Sequence, residues 1–91
     1  KPFKKLSNII NIISQNIMNK PNIQRGIYRH YKGNLYEVVD MARHSETEEW
    51  LVVYRALYGE YGLWVRPASL FTEMVAYDGQ SVSRFQLIQN I

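Results

Sequence analysis

The chain has 91 residues, a formal net charge of +3, no cysteine and two histidines, His30 and His44. That length holds one small domain, the missing cysteines exclude disulfides and thiolate zinc sites, and a cysteine-free chain reads as cytoplasmic. The charge is unevenly divided. Residues 1–22 hold Lys1, Lys4, Lys5 and Lys20 and no acid, whereas residues 23–91 set seven Arg or Lys against eight Asp or Glu, leaving −1. Binding along a phosphate backbone needs a positive face, so the basicity belongs to the leader and the domain is nearly neutral.

In residues 1–22, an Asn/Ile/Lys-rich leader, Leu6, Ile9, Ile10, Ile13 and Ile17 mark one stripe of a helix. Ser7 is a cap for its start and Pro21 a stop near Lys20. Isoleucine and asparagine are weak helix formers. The leader therefore has four readings: a weakly ordered segment, a helix docked on the domain or pairing two copies as a homodimer, a secretory signal, or a basic amphipathic membrane anchor. No stretch approaches the roughly 18 continuous apolar residues of a spanning helix.

From residue 23 the pattern changes to short β-branched and aromatic runs. Ile27–Tyr31 reads as a strand, Lys32-Gly33-Asn34 as a tight turn and Leu35–Arg43 as a longer strand. A polar turn at Ser45–Glu48 leads to a strand at Trp50–Leu57, and Gly59–Gly62 interrupts before Leu63–Arg66. Pro67 ends that run and opens a helical or 3-10 turn through Phe71. Thr72–Tyr77, the Asp78-Gly79 turn and Val82–Leu87 read as a closing hairpin. The fold class is mainly β: a small SH3-like barrel or roll of five to six short antiparallel strands.

Hydrolytic chemistry finds no footing. His44, Ser45 and Glu46 are the residue types of a catalytic triad, but consecutive residues on extended backbone point to opposite faces and cannot converge. The segment reads instead as a turn capped by its own polar side chains. No phosphate loop, dinucleotide fingerprint or metal-ligand spacing occurs, so no enzyme activity, cofactor or metal is expected.

Two features point to binding. Arg29, His30 and Lys32 gather cationic and titratable groups beside a turn, a pattern suited to gripping an anion. Alternation places Tyr28 and His30 on one face, Arg29 and Tyr31 on the other. The second feature is aromatic density: Tyr28, Tyr31, Tyr36, Tyr54, Tyr58, Tyr61, Trp64 and Phe71 exceed what so thin a core can bury. Trp64 reads as a core anchor or as a wall of a groove, and Arg66 as an ion-pair partner of Glu73 or Glu37.

The segments Gly26–Val38, Ala42–Thr47, Val52–Gly59, Gly62–Pro67 and Arg84–Gln86 (GIYRHYKGNLYEV, ARHSET, VVYRALYG, GLWVRP, RFQ) resemble a bacterial family known as domain of unknown function 1653. The resemblance runs over residues 25–88 in order; Glu49-Trp50 departs locally from it and residues 1–22 fall outside it. It implies an SH3-type β roll and supplies no activity, ligand or cofactor.

The function expected is a non-catalytic protein- or peptide-binding module. Its contact residues are drawn from Arg29, His30, Tyr54, Arg55, Tyr58, Tyr61, Trp64 and Arg66. One alternative is single-stranded nucleic-acid binding, with rings stacked on bases and charge from the leader. The other is binding of a small molecule or anion, or a minor enzymatic role, around His30 and Arg29.

Overall fold

The computed structural model describes residues 19–91. The expected leader helix over residues 6–17 lies outside them. The described chain runs β1 (Gly26–His30), β2 (Leu35–Arg43), β3 (Trp50–Ala56), β4 (Leu63–Pro67), α1 (Ala68–Phe71), β5 (Met74–Tyr77), β6 (Gln80–Ser83) and β7 (Phe85–Asn90). The described residues are mainly β with one short helix, as their pattern of β-branched and aromatic runs dictates.

Two details differ from expectation. Five strands form one antiparallel sheet in the order β4-β3-β2-β1-β7, and β5 pairs only with β6. Because β4 and β7 stand at opposite edges of that order, the sheet does not close into a barrel. The expected strand Val82–Leu87 is also broken, which makes seven strands among the described residues. Arg84 is the joint. Its N–H donates to the Glu73 carbonyl (3.0 Å), on the ribbon side, and its carbonyl accepts the Tyr31 N–H (3.0 Å), on the sheet side.

The turns follow their residues. At the β5–β6 turn Asp78 and Gly79 both take positive φ, 53° and 75°, as an Asp-Gly hairpin turn requires. In the β2–β3 connection the imidazole of His44 closes the turn: its Nδ1 accepts the N–H groups of Glu46 (3.1 Å) and Thr47 (3.2 Å). Pro67 ends β4 and stands at the N-cap of α1 with φ −52° and ψ 136°. It lies one position earlier than the helical residue expected, since its fixed φ also suits the last residue of an edge strand.

Register decides which side chains share the inner face. Tyr28 lies opposite Tyr36 and Leu87, Val38 opposite Tyr54, and Tyr54 opposite Trp64. Directly opposed residues of antiparallel strands project to one side, and α1 lies against that side. The buried cluster is Tyr28, Val38, Val52, Tyr54, Ala68, Phe71 and Phe85. Phe71 stacks on Phe85 with ring centroids 4.2 Å apart, and the rings of Tyr28 and Tyr54 meet Phe71 edge-on at 5.4 and 5.6 Å. A core of rings from four elements, β1, β3, α1 and β7, compensates for the small size of the domain.

Gly26 begins β1 beside a bulge in the β1–β7 ladder. A Cβ built there collides with the Gln89 carbonyl and lies 2.9 Å from Leu87 Cδ1. Two of the three nearest atoms belong to the β7 backbone, which cannot move aside as a side chain does. Gly26→Ala is therefore expected to cost about 1–3 kcal/mol, read as a lower urea midpoint at unchanged m value.

Candidate functional site

The inner face is only partly covered. α1 covers the face through Phe71, which meets Tyr28, Tyr54 and Phe85, while Tyr58 and Trp64 stay exposed. Trp64 and Arg66 reach this face because they oppose Tyr54 and Val52 across the β3–β4 ladder. Tyr36 reaches it opposite Ala56. Tyr58, just past β3, turns back so that its hydroxyl meets that of Tyr36 at 2.8 Å.

The arrangement centres on Phe85. His30, Tyr36 and Tyr54 present ring edges to it at 5.0, 5.4 and 5.7 Å, and the guanidinium carbon of Arg66 lies 5.8 Å from its centroid. Arg66 Nε also donates to the Tyr54 hydroxyl at 3.4 Å. The expected ion pair of Arg66 with Glu73 or Glu37 does not form. Arg84, on the joint beside the ribbon, takes Glu73 instead at 3.8 Å.

His30, Tyr54, Tyr58, Trp64 and Arg66 thus come together on one face. Within this group Tyr54 is a core residue whose ring is buried against Phe85 and whose hydroxyl accepts from Arg66. Trp64 reverses the core-anchor reading, being 59% exposed: a tryptophan on a four-fifths apolar edge strand has a neighbour on one side only. Arg29 and Arg55 lie on the outer face, opposite Gln86 and Leu63 respectively. Arg55 Nη1 donates to the Tyr61 carbonyl (2.8 Å) and so ties down the 58–62 turn, leaving the Tyr61 side chain exposed. Tyr36 and Arg84 are neighbours that sequence reasoning did not single out; the strand phase that pairs Tyr36 with Tyr28 carried the signal for the first.

Burial and charge tune two groups. Desolvation, and then the positive charges of Arg84, Arg66 and Lys32, hold the His30 imidazole below its ordinary range. Its Nδ1 accepts the Lys32 N–H at 3.1 Å, which fits a neutral ring. Tyr36 is pushed up to about 12 by burial, with the hydrogen bond to Tyr58 as the next cause. The folded state therefore holds this proton more tightly than the unfolded chain. Its contribution to stability is complete below pH 10 and is lost as pH rises toward 12. An ultraviolet titration is expected to show one tyrosine ionising last, and Tyr58→Phe to bring that step closer to the ordinary tyrosine value.

One edge of the sheet is unguarded. Leu63, Trp64 and Val65 in β4 are 53%, 59% and 60% exposed. Edge strands normally carry charges, prolines or bulges that prevent pairing; here only Arg66 and Pro67, at the far end, serve that purpose. The charged residues of β3 and β4 are Arg55 and Arg66, both cationic. Among the described residues, no helix is long and apolar enough to cross a membrane.

With this geometry in place, comparison with known proteins fixes the lineage. The family described as "Protein of unknown function (DUF1653)" matches residues 26–87. A crystal structure of a DUF1653 protein from Bordetella bronchiseptica is similar at 33% identity with a TM-score of 0.71, covering 77% of this chain and 92% of that one. A search of curated proteins finds no match. Residues 26–87 carry β1 to β6, the helix, the first half of β7 and the aromatic face described above, and on that match the chain belongs to the DUF1653 family.

Proposed function

We propose that the domain is a non-catalytic module that binds an extended segment of another protein along the β4 edge. The observation that carries this reading is the run of exposed apolar residues Leu63, Trp64 and Val65 on a strand that stands at the edge of the sheet among the described residues. An added strand gains main-chain hydrogen bonds from such an edge, and side-chain contacts at alternate positions supply specificity. On the inner face those contacts are Trp64, Tyr58 and Arg66; on the outer face they are Leu63 and Val65. Arg66 has no acidic partner among the described residues, so a carboxylate on the incoming segment complements it. The near-neutral domain disfavours a nucleic-acid strand, whose binding would depend on the leader lysines. The cytoplasmic placement rests on the cysteine-free composition alone.

Selection from a library of extended peptides tests the proposal. Acidic, β-prone sequences are expected, and hydrogen exchange is expected to slow at the β4 amides when they bind. Val65→Lys places a charge in the middle of the edge and is expected to weaken binding without unfolding the domain. A footprint on β7 or on the ribbon would sink the idea, and slowing of β4 that grows with protein concentration alone would identify a second copy as the occupant.

A further inference from the structure

A cleft of about 460 Å³ separates the end of the five-stranded sheet from the β5–β6 ribbon. Arg29, Tyr31 and Gln86 line one wall and Met74, Tyr77 and Ser83 the other, with His30 at its margin. The volume lies in the range of small-molecule sites, about 300–1,000 Å³. Its cationic lining residues are Arg29 and, when protonated, His30, and no carboxylate of the described residues lines it. Arg29 is exposed and makes no ion pair among the described residues. The rings of Tyr31 and Tyr77 meet edge to face at 5.2 Å, bridging the two walls with an aromatic surface.

We propose that this cleft binds a small organic anion carrying an aromatic ring, its carboxylate or phosphate on the Arg29 guanidinium and its ring against Tyr31, Tyr77 and Met74. Guanidinium is suited to two-point contact with such oxyanions, and tyrosine rings and a thioether both favour an aromatic neighbour. No β4 residue lines the cleft, although Arg66 of β4 acts on His30 from the neighbouring inner face. The charged groups that act on His30 are Arg84 (itself paired with Glu73), Arg66 and Lys32, and the rings of Tyr31 and Tyr36 pack beside it.

The test is a heteronuclear NMR titration of the full chain with benzoate, phenyl phosphate, cyclohexanecarboxylate and inorganic phosphate. The two aromatic anions are expected to shift the amides of Arg29, Tyr31, Tyr77 and Gln86, and to bind several-fold more tightly than the other two. Arg29→Gln is expected to weaken them by about tenfold; because Arg29 is exposed, an unchanged amide spectrum elsewhere verifies the fold. Tyr77→Ala is expected to abolish the preference for a ring while leaving weak anion binding. Equal affinity in Arg29→Gln, equal affinity for the aromatic and cyclohexyl acids, or shifts centred on Arg66 or the leader lysines would each overturn the proposal.

Discussion

Phe71→Ala is expected to remove about 3–5 kcal/mol of folding stability, the usual cost of emptying a phenylalanine site in a packed core. Phe71 is 2% exposed. Its ring contacts Phe85, Tyr28 and Tyr54, which come from β7, β1 and β3. It is thus the piece of α1 that fills the concave side of the sheet, and alanine would leave a void bordered by three rings that strand pairing holds in place. A domain of this size has only about 5–15 kcal/mol in total, so the loss brings the variant close to unfolding. Urea denaturation followed by tryptophan fluorescence measures the change. The adjacent Leu70 is 45% exposed, and Leu70→Ala is the control expected to stay within about 1 kcal/mol of the parent. Equal effects at the two positions would mean that α1 does not cap the core.

Trp64→Ala is expected to do the reverse. Its large exposed side chain contributes little to folding, so the change in stability should be within about 0.5 kcal/mol. Affinity for a segment bound along β4 should nonetheless fall by about thirtyfold or more, since an aromatic anchor at the centre of an interface carries at least about 2 kcal/mol. Isothermal titration with a selected peptide reads the loss, and an unchanged affinity would remove Trp64 from the contact surface. The other tryptophan supplies an internal contrast. Trp50 is half-buried under the guanidinium of Arg43 at 4.4 Å and the Lys20 ammonium at 5.5 Å, so the exposed component of the emission should vanish in Trp64→Ala and the shielded one remain.

Much of this architecture was legible in the chain. Strands β1 to β4 announce themselves because runs of Val, Ile, Tyr and Leu end at strong turn signals, Lys32-Gly33-Asn34 and Gly59–Gly62 among them. The split between β6 and β7 was missed for an identifiable reason. Val82 is out of phase with Phe85 and Leu87, so alternation slips at Arg84, yet the six residues from Val82 to Leu87 look like a single strand by composition. A slip of one residue exchanges faces. Here it marks the place where the chain passes from one sheet to the other.

The site was less legible, because exposure depends on strand order. Trp64 and Tyr54 are direct opposites in one ladder, and composition treats them alike. Tyr54 lies on an interior strand and is buried; Trp64 lies on the edge and is not. Nothing local to β4 says that no strand follows it in the sheet. The grouping of His30 and Arg66 likewise depends on Phe85, which is distant from both in sequence and comes between them only through the β1–β7 pairing, while Tyr58 joins through Tyr36.

That pairing has a consequence for how the module can be built into a larger polypeptide. Gly26 and Asn90 are partners across the ladder, and the Ile91 N–H reaches the Arg25 carbonyl at 3.4 Å. Entry to and exit from the domain therefore lie side by side, at the border opposite β4. A unit with adjacent ends can be spliced into a surface loop of a host protein with little strain on either. By the same geometry, joining residues 26 and 90 through a short linker and opening the chain at Lys32–Asn34 would give a permuted molecule with every ladder except its first hairpin connection unaltered. Entry and exit share the β1–β7 side of the sheet, and the apolar β4 edge stays clear of them.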